Sequence, residues 1–229
     1  RCDAWFISGR IMRPGSPGRK VCAEMEFEVP EPIICSPYVE PGHHWYLEVG
    51  REPEKRPGRR PAHYYYRAPG QDTDETGVPT GTAVELRLVH LVRERLAQWR
   101  AGGYPRATRT TLELLEYWRR EGRQHRLFFA QLEAAETVIF LAEARRDYLQ
   151  GIDVPLDEPS DRQGDNACRA FQRYACKMAT GSGKTTVMAL LAAWTILNKV
   201  HDRANARYSD AVLVVCPNVT IRSRLGELD

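Results

Sequence analysis

No two cysteines of this 229-residue chain stand in C-x-x-C spacing. The six are scattered at 2, 22, 35, 168, 176 and 216, which argues against a zinc site, and a disulfide framework is not expected in so long a chain. Free thiols suit a reducing compartment, so a cytoplasmic location is expected. Cys176 and Cys216 sit in apolar runs and read as small buried hydrophobes. An excess of one charge is also lacking: 33 Lys and Arg against 30 Asp and Glu leave +3. Any basic surface is therefore local. Long apolar runs are absent too. The longest uncharged stretch, Thr185–Asn198, falls short of the roughly 20 residues that cross a bilayer. No secretory leader is visible and no membrane association is expected. The chain opens on Arg1 rather than Met and stops at Asp229, where an α/β domain should continue. It is read as a fragment.

What is present is concentrated in one string. Met178-Ala-Thr-Gly-Ser-Gly-Lys-Thr-Thr186 has the form of a phosphate-binding loop, with Met178 where the strict pattern asks for Gly. Gly181 and Gly183 let the backbone curl so that N–H groups face phosphate oxygens. Lys184 can reach the β- and γ-phosphates, and the Thr185 hydroxyl can ligate Mg²⁺. Tyr174–Met178 reads as a short strand before the loop. Val187–Leu197 reads as a helix apolar on nearly every face, and hence buried. A glycine turn that merely caps a helix is the plainer alternative, and the flanking elements argue against it.

Residues 1–82 hold most of the prolines, with short apolar bursts at 5–7, 33–34 and 45–47 that read as strands. The stretch 51–67 carries Arg51, Lys55, Arg56, Arg59, Arg60 and Arg67, interleaved with Tyr64, Tyr65 and Tyr66. Basic and aromatic residues together could grip phosphate and stack bases; a solvated, proline-containing linker is the other reading. Thr82-Ala-Val-Glu85 is a capping box that predicts a helix, stopped by Gly102-Gly103. Thr110-Thr-Leu-Glu113 predicts a second helix. Leu127–Gln150 predicts a third, with Phe128, Leu132, Ala135, Ile139 and Ala142 as its buried stripe. Arginines on the first two helices read as solvated. Ala211–Cys216 is a continuous apolar run of the kind found in central parallel strands. The expected fold is α/β: an N-terminal extension over 1–107, then a P-loop domain with a parallel sheet over 108–229. Ligand should lie beyond the carboxyl ends of the strands.

Lys177–Thr186 resembles motif I of superfamily-two helicases. Cys216-Pro-Asn-Val-Thr-Ile-Arg-Ser-Arg-Leu225 resembles their motif Ia. Leu127–Thr137 resembles the glutamine-bearing segment upstream of motif I. Together these look most like the restriction subunit of type III restriction–modification enzymes. That resemblance implies a RecA-like domain binding ATP and Mg²⁺, with Thr180, Gly181, Ser182, Gly183 and Thr186 shaping the loop around Lys184 and Thr185. Gln131 would read the adenine edge, with Phe129 a possible stacking partner. Pro217, Asn218, Thr220 and Arg222 would contact the backbone of double-stranded DNA. A modification methyltransferase is the implied partner, and an endonuclease the implied whole. No D-E-x-H string follows motif Ia, so the chain by itself is expected to bind ATP without hydrolysing it. Another P-loop NTPase, or a DNA-binding module with a vestigial loop, remains the alternative.

Overall fold

The computed structural model describes residues 29, 31–47, 51–66, 82–154, 156–158 and 170–215. The chain forms two compact units, Arg1–Leu86 and Arg87–Asp229. In the first, β1 (His43–Tyr46) pairs antiparallel with β2 (Glu54–Pro57), and β3 (His63–Tyr66) pairs antiparallel with β4 (Thr82–Glu85). Trp45 donates its indole N–H to the Glu31 carbonyl at 2.9 Å, and the Arg56 guanidinium stacks 3.5 Å over Tyr46. The Thr82–Glu85 capping box is thus not the start of a helix. Val84 lies opposite Tyr64 in the ladder, and β-branched–aromatic pairing across strands outweighs a local capping preference.

The second unit is built on four helices: α1 (Arg87–Ala101), α2 (Arg109–Arg119), α3 (Phe129–Glu143) and α4 (Lys184–His201). Gly103, at φ 75°, ends α1 in the left-handed conformation, with Tyr104 N–H donating to the Trp99 carbonyl at 2.9 Å. Thr108, not Thr110, caps α2: its hydroxyl accepts from Thr111 N–H at 3.1 Å. Helix α3 is shorter than expected and ends at Glu143. The core joins Leu96, Trp99, Leu115, Trp118, Ala135, Ile139, Phe140, Leu190, Trp194 and Tyr208. Trp99 is its hub, with ring centroids 4.9 Å from Tyr104 and 5.6 Å from Phe140. Its indole N–H is satisfied by the Pro105 carbonyl at 3.0 Å. Truncating such an aromatic typically costs about 3–5 kcal/mol.

The expected parallel sheet is not found among the described residues. The sheets there are three antiparallel pairs, the third joining β5 (Leu156–Asp157) to β6 (Phe171–Gln172). Neither 174–178 nor 211–215 carries a ladder. Leu213 is 89% exposed and Val215 81%. An apolar run states what a strand needs to bury, but a parallel ladder requires a second segment brought back by a crossover. For the same reason α4 is only half buried. Val187, Leu190, Trp194 and Asn198 face the core, while Met188, Leu197 and Val200 are exposed. Cys176, expected inside, is exposed; Cys216 and the segment 5–7 lie outside the described residues. Ile33 and Ile34 form no strand.

Candidate phosphate-binding site

The glycine string forms a tight loop running directly into α4. Gly181 and Gly183 have φ of 78° and 82°, the left-handed region where a side chain is strained. Gly183 is the N-cap of α4. Its lack of a side chain has a second cause, because a Cβ there would collide with the carboxamide of Gln131. The loop closes on one carbonyl. Ala179 O accepts from Ser182 N–H at 3.3 Å, from the Ser182 hydroxyl at 2.7 Å and from Lys184 Nζ at 3.0 Å. Lys184 also reaches the Met178 carbonyl at 3.2 Å. Three donors converging on one carbonyl oxygen form a cluster that suits an anion better than a neutral acceptor.

The first turn of α4 contains Lys184, Thr185 and Thr186, whose backbone N–H groups have no acceptor within the helix. The positive end of the helix dipole adds to the Lys184 charge. Lys184 is exposed, and Thr185 and Thr186 are half-buried. Thr180 and Gly181 form the exposed turn ahead of them. These residues fit a phosphate chain. For a metal, Thr185 offers one hydroxyl, and among the described residues no group of three His, Cys, Asp or Glu could hold an ion. Gln131 is brought to the loop, while Phe129, half-buried, opens α3. Pro217, Asn218, Thr220 and Arg222 lie outside the described residues.

The far end of α4 is anchored by a buried carboxylate that the sequence reading missed. Glu143, the last residue of α3, is 3% exposed. Its Oε1 accepts from the Thr111 hydroxyl at 2.7 Å, Trp194 Nε1 at 2.8 Å and the Tyr208 hydroxyl at 2.7 Å. Its Oε2 accepts from Thr108 N–H at 2.9 Å, at the positive end of α2. Asn198 Nδ2 donates to Thr111 Oγ1 at 3.1 Å and closes the cluster. Burial, then the bond to Glu143, pushes the Tyr208 phenol well above its ordinary value. A second buried acid, Glu136, is held by Arg100 at 2.7 Å, by Arg119 and by the Tyr104 hydroxyl at 2.8 Å. Two arginines expected in solvent are thus structural. Burial lowers the pKa of Arg119. The spacing held a signal: 136 and 143 fall on one stripe with Ala135, Ile139 and Phe140.

Among the described residues no helix is long and apolar enough to cross a membrane. No curated protein and no solved structure matches the chain. Residues 124–227, which contain α3, the loop and α4, match the family described as type III restriction enzyme, res subunit.

Proposed function

We propose that this chain is the ATP-binding part of a DNA-dependent translocase, the restriction subunit of a type III restriction endonuclease. The carrying observation is the loop of residues 178–184, which gathers Lys184 and the head of α4 into an anion seat inside the segment shared with that family. In this reading the phosphates of ATP replace the Ala179 carbonyl as the acceptor for Lys184 and Ser182. Backbone N–H groups at 184–186 take further phosphate oxygens. Thr185 would supply one hydroxyl ligand to Mg²⁺, which would offset phosphate charge when bound. Thr180, Gly181, Gly183 and Thr186 shape the seat. In this reading the matched segment belongs to a RecA-like domain whose parallel sheet is not formed among the described residues, and residues 217–222 serve double-stranded DNA by backbone contact, with base recognition left to a methyltransferase partner.

Hydrolysis needs acidic groups that position water and metal, and the 229 residues contain no D-E-x-H string. The chain is therefore expected to bind ATP and not to turn it over. Titration of the purified chain with ATP and Mg²⁺ tests this. Binding lost on Lys184→Ala supports it. Absence of binding by the unsubstituted chain, or turnover that Lys184→Ala abolishes, refutes the corresponding half.

A further inference from the structure

The basic, tyrosine-rich stretch 51–67 is not a plain linker. Its described part, 51–66, contains β2 and β3, the second strand of one ribbon and the first strand of the next. Side chains two residues apart on a strand share a face, so Tyr64 and Tyr66 stand together on β3. Opposite them in the ladder are Val84 and Thr82. Both rings are open to solvent, Tyr64 being 46% and Tyr66 56% exposed. The residues across from them are smaller, and Thr82 is itself exposed. The one acid of this ladder, Glu85, lies opposite His63 and on the other face. Single exposed aromatics are ordinary, but a pair on one strand face forms a platform of the kind that marks a binding surface.

Charge indicates which occupant fits. Residues 51–66 carry five basic side chains against two acidic ones, an excess of +3 that equals the net charge of the whole chain. Of the two acids, Glu54 is bound to Arg56 at 2.7 Å. Arg60 leads into the platform, two residues before Ala62, whose carbonyl accepts from Leu86 N–H at 2.9 Å and extends the β3–β4 ladder. A polyanion with flat apolar faces matches both the charge and the rings. Duplex DNA hides those faces in its own stack, whereas a single strand can splay its bases onto aromatic side chains. Same-face positions on a strand recur about every 6.8 Å, roughly twice the 3.4 Å rise per base along one strand. Two such rings can take neighbouring bases or enclose one. We propose that the β3–β4 ribbon binds single-stranded DNA, with Tyr64 and Tyr66 stacking on bases and Arg60 taking a phosphate. In naming DNA the inference rests on the proposed function; the stacking face itself requires neither ATP nor residues 217–222.

The test is fluorescence anisotropy of the 229-residue chain, without nucleotide. The probes are labelled oligo(dT) of about 20 nucleotides, long enough for a typical single-strand site, with oligo(U), an abasic strand and a duplex of the same length. Oligo(dT) should bind at least about tenfold more tightly than the abasic strand or the duplex. Tyr64→Ala with Tyr66→Ala should weaken oligo(dT) by about 25-fold or more, leaving the abasic strand and the duplex within about twofold. Tyr64→Phe with Tyr66→Phe, which keeps the rings, should stay within about twofold of the unsubstituted chain. Tyr66→Ala alone should cost about fivefold, and it decides the matter should the double variant not fold. Arg60→Gln should flatten the dependence of log K on log salt by about 0.7. Unchanged binding by the Ala variants overturns the proposal, as does an equal loss for oligo(dT) and the abasic strand, or a Phe variant as weak as the Ala one. Tighter binding of oligo(U) than of oligo(dT) overturns the assignment to DNA. Failure of the unsubstituted chain to bind any of the strands overturns the whole proposal and leaves the platform to a protein partner. ATP titration then judges the phosphate-loop reading separately.

Discussion

At its first turn α4 offers Lys184 to solvent, held among the described residues by the carbonyls of Met178 and Ala179. Three turns later the same helix is sealed, with Trp194 8% and Asn198 2% exposed around the Glu143 carboxylate. One end collects donors around an acceptor that, in the proposed function, an incoming phosphate replaces. The other collects donors around an acceptor that is covalently part of the fold. Donors in the two clusters are similar in kind, namely backbone N–H, hydroxyl and a charged or aromatic N–H. The difference lies in burial. In the sealed cluster each bond is lost only by unfolding, so it contributes to stability. At the exposed end a bond to the loop carbonyl is exchangeable, so its free energy is available to a ligand.

Breaking the sealed end should have the larger effect on the fold. Glu143→Leu leaves the Tyr208 and Thr111 hydroxyls and the Thr108 N–H without their acceptor, and the Trp194 N–H with the Thr111 hydroxyl oxygen alone. A cost of about 3–4 kcal/mol follows, or about 10 °C in Tm. A circular-dichroism melt displaced by less than about 2 °C would remove the claimed asymmetry. Lys184→Ala is the mirror experiment. ATP affinity should fall roughly 100-fold, the worth of a charge-assisted contact, while Tm stays within about 1 °C. A large drop in Tm with little loss of binding would put Lys184 in the fold rather than in the site.

Smaller changes sharpen the contrast. Arg119→Met removes one of two guanidiniums from buried Glu136, leaving Arg100 and Tyr104 in place. Arg119 is partly exposed, so the loss should be about 1–2 kcal/mol in a urea titration. Tyr208→Phe deletes one donor to Glu143 and should cost about 1 kcal/mol at neutral pH. Its pH dependence has a definite sign. Burial raises the folded phenol above its ordinary 10.0, so the unfolded chain releases that proton at lower pH than the folded one. This contribution is whole below pH 10.0 and declines as pH rises past it. The Phe variant should lose stability less steeply in that range, and parallel curves for the two proteins would contradict the assignment. Arg109→Ala is the null control. Its pair with Glu113 is exposed and should be worth under about 0.5 kcal/mol.

How far each feature could be read in the amino-acid order depends on the range of the forces that make it. The glycine loop was legible because Gly181, Gly183 and Lys184 act within a few residues of one another. The stop at Gly103 was legible for the same reason. Thr82–Glu85 misled because a short-range capping preference was overridden by pairing with residues 63–66, far back in the chain. Glu136 and Glu143 were not legible as buried groups because an acid on a helix is usually solvated. Only their partners on α1, α2 and α4 and at Tyr208 make burial tolerable.

The order of residues by itself determined that the chain carries a tight glycine loop leading into a helix, and that α1, α2 and α3 form, since glycines and apolar spacing are local. Only the tertiary structure decided that α3 lies parallel to α4, that Gln131 closes on Gly183, and that a carboxylate without a cation partner among the described residues anchors the end of α4 opposite the loop. Those facts depend on which distant groups share a buried volume. In such a volume the cost of an unpaired polar atom, and so the choice of partner, is set by the whole packing rather than by the neighbours in sequence.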